Sequence, residues 1–171
     1  MPALVADRAV LLVVDLQEKL MPAIAGAEAV LANAVRLVTG ATRLGVEVRA
    51  TEQNPRGLGP TVEAVAPLLP APAIAKTSFA AEVERGPGTV VVAGCEAHVC
   101  VLQTVLGLRA AGREVAVVAD AVGSRTEANR ERALDRMRAH GVDVVTTEMV
   151  LFEWLATSEH PDFRDVQKLI R

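Results

Sequence analysis

The chain has 171 residues, 51% of them hydrophobic, which is enough to bury a full core, and we interpret residues 1–171 as one domain. Its formal net charge of -3 and its scattered Lys and Arg residues argue against nucleic acid as a partner, because phosphate binding needs clustered positive charge. The longest apolar run is too short to cross a bilayer, so we predict no membrane partner.

The cysteine content indicates a cellular compartment. Two cysteines five positions apart, Cys95 and Cys100, do not form a disulfide framework. The chain does not open with a charged segment followed by an apolar one, as a secretory leader would. We therefore predict a reducing, cytoplasmic location.

Short Val-rich runs alternate with longer segments of helical period, a pattern typical of an α/β fold with strands buried on both faces. The predicted strands are 9–14, 46–51, 73–76, 89–93, 115–119 and 142–146. The predicted helices are 27–44, 99–111, 149–155, a segment from the N-cap Thr126 to His140, and 161–170, which Pro161 begins at its first position. Residues 54–60 are predicted to be a loop because they are rich in Pro and Gly.

Six strands joined by crossover segments predict an open, doubly wound sheet, in which ligands bind beyond the carboxyl ends of the strands. Three residues stand at those ends. Asp15 ends the first strand, Lys76 ends the third, and Cys100 follows the fourth where a helix begins. A thiol, a carboxylate that can take its proton and an ammonium that can stabilise the thiolate form a complete set for nucleophilic catalysis. The helix N-terminus also favours the thiolate.

Each of these residues also has a purely structural interpretation. An Asp at a strand end is often a helix cap or a loop organiser, and a single Lys is often a solvated surface residue. Cysteine is commonly a small buried hydrophobic residue. Spacing alone leaves these alternatives open.

Three segments carry a resemblance to a known family: LLVVDLQ at 11–17, AKTSF at 75–79 and GCEAHVC at 94–100. Together with residues 51–62 and 160–163, they resemble the isochorismatase-like cysteine hydrolase superfamily, in particular the branch of isochorismatase domain-containing proteins. The resemblance implies a three-layer α/β/α fold with a six-stranded parallel sheet of order 3-2-1-4-5-6. In that order Asp15 lies beside Cys100.

The resemblance also implies roles for the site residues. Asp15 would be the general base, Lys76 the electrostatic partner that lowers the pKa of the thiol, and Cys100 the nucleophile. A cis peptide bond between Cys95 and Glu96 would direct the backbone N–H groups of Glu96 and Cys100 into an oxyanion hole. The implied reaction is amide hydrolysis through a thioester acyl-enzyme.

We predict no metal and no cofactor. Nicotinamidases of the same superfamily bind a metal through an Asp-x-His arrangement and a further His, but residues 51–54 contain no histidine. The three histidines of the chain, His98, His140 and His160, do not form a recognisable ligand cluster.

Four residues are predicted to contact the substrate: Gln17, Gln53, Phe79 and Glu96. Gln17 could instead orient a loop or act as a cap, and Phe79 could form an apolar wall near Lys76. The carboxylate of Glu96 could bind a cationic or amide-bearing substrate, or it could accept a neighbouring N–H.

The predicted function is a metal-independent cysteine hydrolase that cleaves an amide C–N bond, or a related carbonyl group, of a small-molecule substrate. One alternative is a non-catalytic binding or scaffold protein that keeps the fold. Another is a redox sensor that uses Cys95 with Cys100. The aliphatic helices and the segment from Trp154 onward predict a homo-oligomer, either a dimer or a tetramer.

Overall fold

The computed structural model describes residues 4–82 and 88–171. Within these ranges six strands form one sheet in the order β3-β2-β1-β4-β5-β6, and every neighbouring pair is parallel. The strands are β1 (Ala9–Val14), β2 (Glu47–Gln53), β3 (Ile74–Lys76), β4 (Thr89–Cys95), β5 (Glu114–Gly123) and β6 (Asp143–Val145). The predicted fold class and strand order are confirmed. The domain prediction also covers residues 1–3 and 83–87, which lie outside the described residues.

Helices flank the sheet on both faces. They are α1 (Ala27–Arg43), α2 (Pro55–Leu58), α3 (Leu102–Ala110), α4 (Glu127–Ala139), α5 (Thr147–Leu155) and α6 (Phe163–Leu169). A π-helical turn, Ala97–Val101, leads directly into α3. Thr126 caps α4 as predicted, because its hydroxyl accepts a hydrogen bond from the backbone N–H of Asn129 at 3.3 Å.

The alternating side chains of the central strands fill two separate cores. In β1, Leu11 and Val13 pack with residues of α1, α5 and α6 on one face of the sheet. Leu12 and Val14 pack with residues of α3 and α4 on the other. This alternation follows from the two-residue period of a strand, and it makes β1 and β4 apolar almost throughout.

Two strands extend further than predicted at the edge where ligands are expected. β4 continues through Gly94 to Cys95, and β5 continues to Gly123, because these ends pair with each other beyond an irregularity in register. Gly94 has φ +117°, and a Cβ atom there would lie 2.0 Å from the carbonyl oxygen of Val14. Glycine therefore lets β4 approach β1 closely just before Asp15.

Three predictions in the loops and helix ends were wrong. Residues 54–60 were predicted to be a loop, but α2 forms one helical turn there with Pro55 at its first position. The last helix begins at Phe163 and not at Pro161. Helix α5 begins two residues early, because the Thr146 hydroxyl accepts the backbone N–H of Met149 and caps it. No helix in the described ranges is long and apolar enough to span a membrane.

Candidate active site

Asp15 is a fully buried carboxylate at the carboxyl end of β1. Its backbone has φ +50°, and its N–H donates to the carbonyl of Thr51 at 3.1 Å, so the chain turns there and leaves the sheet. One carboxylate oxygen accepts the hydroxyl of Thr51 at 2.7 Å, and the other accepts Nζ of Lys76 at 2.7 Å. A buried carboxylate needs such partners, since an unpaired one would lose its hydration without compensation.

Lys76 lies at the end of β3 and directs its side chain inward, with only 9% of that side chain exposed. Besides Asp15, its ammonium group donates to Oε1 of Gln53 at 2.8 Å and to the carbonyl of Phe79 at 3.0 Å. It also lies 3.3 Å from the carbonyl of Ser78. The solvated-surface interpretation of Lys76 is therefore wrong.

Cys100 lies on the π-helical turn after β4 and is 6% exposed. The pKa of its thiol is raised to about 12, mainly by burial and then by the charge of Asp15 and a hydrogen bond to Asp15, while Lys76 lowers it. The helix N-terminus and Lys76 were expected to favour the thiolate, whereas the net effect of the surroundings is a raised pKa that favours the thiol. Lys76 does lower the thiol pKa, but desolvation and the neighbouring carboxylate outweigh it.

Thr104 joins the two loops that carry the site. Its hydroxyl donates to the carbonyl of Cys100 at 2.7 Å and accepts the backbone N–H of Ala81 at 2.8 Å. The loop after Lys76 is thereby tied to the helix of Cys100.

Cys95 lies near Cys100 in sequence but belongs to the opposite core. It packs with the α1 face of the sheet, whereas Cys100 packs with the α3 face. Both are free thiols. Burial raises the pKa of Cys95 to about 12, with smaller effects from Glu96 and Asp15 that also raise it and a backbone hydrogen bond at Gly123 that lowers it. Disulfide formation requires directly facing side chains, which this arrangement does not favour.

Glu96 follows a cis peptide bond between Cys95 and Glu96. Its carboxylate is buried and accepts the backbone N–H of Arg125 at 3.0 Å, Nε of Arg125 at 3.1 Å and Nη2 at 2.7 Å. Hydrogen bonds from Arg125 lower the pKa of this carboxyl group, and the nearby His98 contributes in the same direction. Both oxygens are thus engaged within the protein, which corresponds to the alternative in which Glu96 accepts neighbouring N–H groups.

The other residues predicted to contact substrate have different surroundings. Gln17 is fully buried, and its amide bonds to the backbone of Gln53 and Gly59, which corresponds to the loop-orienting alternative. Gln53 uses its side chain to hold Lys76 and to donate to the carbonyl of Thr77 at 2.8 Å. Phe79 is 52% exposed.

A cavity of about 570 Å³ opens beside Lys76 at the carboxyl ends of β2 and β3. Its lining includes Thr51 and Lys76, the two side chains that hold Asp15, and the exposed residues Arg56 and Glu82. Within the described ranges Arg56 forms no ion pair. The cavity is large enough for a small organic molecule.

Sequence reasoning did not identify Thr51, Thr104 or Arg125. Thr51 ends a predicted strand next to the one that Asp15 ends, so strand order could have suggested their contact. Thr104 and Arg125 were missed because Ala81 and Glu96, the partners that give them a role at the site, are 23 and 29 residues away in the sequence. Among the described residues no group of three or more His, Cys, Asp or Glu side chains is arranged to hold a metal ion.

Comparison with known proteins shows the family to which the chain belongs. The isochorismatase domain model matches residues 9–149. Isochorismatase domain-containing protein 2 of Danio rerio is 40% identical over 173 residues, which cover 94% of this chain and 86% of that protein.

Solved structures share the fold. MAR1 ribonuclease from Caenorhabditis elegans superposes with a TM-score of 0.95 at 35% identity, covering 98% of this chain and 92% of that one. The YcaC gene product of Escherichia coli, described as an octameric hydrolase of unknown specificity, superposes with a TM-score of 0.83 at 24% identity. The superposition covers 98% of this chain and 96% of that one. With the family model matching most of its length, the chain belongs to the isochorismatase-like hydrolase family.

Proposed function

We propose that this protein is a metal-independent cysteine hydrolase that cleaves a small amide, or a related carbonyl compound, through a thioester on Cys100. The observation that carries the proposal is the buried carboxylate of Asp15, bonded to Lys76 at 2.7 Å and close enough to the Cys100 thiol to raise its pKa. A structural role for one of these residues does not require the other two. A carboxylate, an ammonium group and a thiol that act on one another at one edge of the sheet suit acyl transfer.

In the proposed reaction Asp15 removes the thiol proton as the sulfur of Cys100 attacks the substrate carbonyl carbon. The backbone N–H groups of Glu96 and Cys100 stabilise the negative oxygen of the tetrahedral intermediate. Collapse of the intermediate breaks the C–N bond, and the protonated Asp15 gives its proton to the leaving amine. Water then attacks the thioester while Asp15 takes its proton; the C–S bond breaks, Asp15 returns the proton to the sulfur, and the acid product leaves the regenerated Cys100 thiol.

The high pKa of Cys100 gives Asp15 a specific task in this mechanism. At neutral pH the resting thiol keeps its proton, so attack must be accompanied by proton transfer and cannot rely on a preformed thiolate. Lys76 opposes the increase in pKa and holds the carboxylate in position. We retain Gln53 and Phe79 as residues near the substrate, whereas Gln17 is better assigned to orienting the loop.

The cavity beside Lys76 guides the choice of substrates. Arg56 contributes an exposed positive charge to its lining, so the substrate panel should contain amides with and without a carboxylate. RNA belongs in the panel because one solved relative is described as a ribonuclease. The net charge of -3 favours the small amides over RNA.

The decisive experiment compares the wild-type protein with Cys100→Ala and Cys95→Ala on p-nitrophenyl acetate and on a panel of small primary amides. We expect product release and a rapidly formed acetyl adduct, detected by intact-protein mass spectrometry, in the wild type and in Cys95→Ala. Cys100→Ala should show neither. Equal turnover by the wild type and Cys100→Ala would refute the nucleophile, and binding without turnover would favour the scaffold alternative.

We also propose a homo-oligomer, since one structural relative is described as octameric. Light scattering coupled to size exclusion gives the stoichiometry directly. A monomer at the concentrations used for the activity measurement would contradict this proposal.

A further inference from the structure

We propose that the Glu96–Arg125 ion pair is a positioning clamp for the oxyanion hole. Arg125, which lies outside the set of residues that the reaction uses directly, fixes the segment that carries the Glu96 N–H. The inference rests on the proposed function, because it assigns a reason for the geometry of the N–H groups that would bind the negative oxygen.

The first argument is the way in which Glu96 is held from two sides. Its backbone carbonyl accepts the N–H groups of Val99 at 3.0 Å and of Val101 at 3.2 Å, which anchor it to the π-helical turn. Its carboxylate accepts three hydrogen bonds from Arg125 at 2.7 to 3.1 Å. A residue held at both its carbonyl and its side chain has little freedom left for its own N–H to reorient.

The second argument is the difference in exposure between the two partners. The Glu96 side chain is 6% exposed, whereas the Arg125 side chain is 61% exposed. A buried carboxylate without a partner is costly, so Glu96 depends strongly on Arg125, while the guanidinium group could be solvated without it. The ion pair therefore stabilises the buried segment around Glu96 more than the exposed segment around Arg125.

The third argument is that the contact continues along the same two segments. Nδ1 of His98 lies 3.0 Å from the hydroxyl of Ser124, which is buried. The residues before α4 thus meet the residues around Glu96 at two neighbouring points. Movement of one segment would be transmitted to the other.

The test uses Arg125→Gln and Arg125→Lys, with Arg132→Gln as the matched control. Arg132 lies on α4 with a side chain 86% exposed and a weak ion pair to Asp135 at 3.8 Å. Its replacement therefore removes the same charge from an exposed position on the surface. With p-nitrophenyl acetate, we expect kcat to fall by about ten- to a hundredfold in Arg125→Gln with little change in KM, since displacement of a catalytic group by about 1 Å has effects of this size. Arg125→Lys should restore part of the loss, because one ammonium replaces only part of the bidentate contact.

A second readout keeps the inference testable if the wild type lacks Cys100-dependent turnover. Amide hydrogen exchange measured by NMR should accelerate at residues 96–101 in Arg125→Gln but not in Arg132→Gln. Unchanged exchange at these residues would overturn the clamp whatever the activity. An active wild type whose kcat is unaffected by Arg125→Gln would also overturn it while leaving the proposed function intact.

Discussion

Cys95 and Cys100 lie on adjoining segments of the same chain and have thiols with similarly raised pKa values, yet their surroundings differ in kind. Cys95 is fully buried in the core beneath α1, and desolvation is the main cause of the raised pKa in both thiols. Cys100 is in the opposite core at the carboxyl edge of the sheet, where Asp15 and Lys76 act on it in opposite directions. A raised pKa therefore does not separate a nucleophile from a structural thiol. What distinguishes Cys100, the proposed nucleophile, is the carboxylate of Asp15 and the ammonium group of Lys76 acting on its sulfur.

The largest expected effect is on turnover. Replacement of Asp15 with Asn removes the proposed base, and general-base removal costs about 100- to 10,000-fold in rate. The measurement is kcat/KM with p-nitrophenyl acetate. Cys95→Ala should remain within a few-fold of the wild type, because that thiol is not in contact with the reacting groups.

Asp15→Asn leaves Lys76 with a neutral partner, so a variant that keeps the charge pair is needed as a control. Thr51→Val removes only the hydrogen bond to one carboxylate oxygen, and it should give an intermediate loss of rate. Wild-type rates in a folded Asp15→Asn protein would exclude Asp15 as the base.

The second-largest expected effect is on the pKa of the Cys100 thiol. Asp15 raises the pKa of Cys100 and Lys76 lowers it, so Asp15→Asn should shift the pKa down and Lys76→Met should shift it up. The pH dependence of iodoacetamide alkylation, resolved by peptide mass spectrometry, measures both shifts. Cys95 is the internal control and should stay unlabelled in the folded protein, because it is 0% exposed. Shifts in the same direction in both variants would contradict the assigned surroundings of Cys100.

The sequence allowed the architecture to be predicted better than the chemistry of its site. Val-rich runs alternating with longer segments of helical period were sufficient for an α/β sheet, because both signals are local. The order of the strands came from the family resemblance. The strand ends at Cys95 and Gly123 were missed, because their pairing depends on a register irregularity between distant segments.

The same distinction applies within the site. Asp15, Lys76 and Cys100 could be named from their positions at strand ends and from the family motifs. The thiol pKa could not be predicted, because its sign depends on a balance among burial, Asp15 and Lys76 that only three-dimensional placement determines. For the same reason, sequence reasoning considered Glu96 as a substrate contact but did not identify Arg125 as its partner.

The smallest expected effect is on the free energy of unfolding at high pH, and it tests the raised pKa of Cys95. Below about pH 8.5 both the folded and the unfolded chain keep the Cys95 proton, so the thiol contributes no pH dependence there. Between that value and about 12 the unfolded chain loses the proton while the folded chain retains it, so the free energy of unfolding falls as pH rises. The slope for one proton is at most about 1.4 kcal/mol per pH unit.

Urea unfolding between pH 7 and pH 10.5 should therefore show a flatter alkaline decline in Cys95→Ala than in the wild type. The chain has no tyrosine and only three lysines, and Cys100, which has a similarly raised pKa, is present in all three proteins, so the difference in slope belongs to Cys95. Val38→Ala is the matched control, because it truncates a buried side chain of the same core without removing a titrating group. It should lower stability equally at every pH and keep the wild-type slope. If the free energy of unfolding declines with pH in parallel in Cys95→Ala and Val38→Ala, burial does not raise the pKa of Cys95 in the folded protein. The pKa values of the two thiols would then differ.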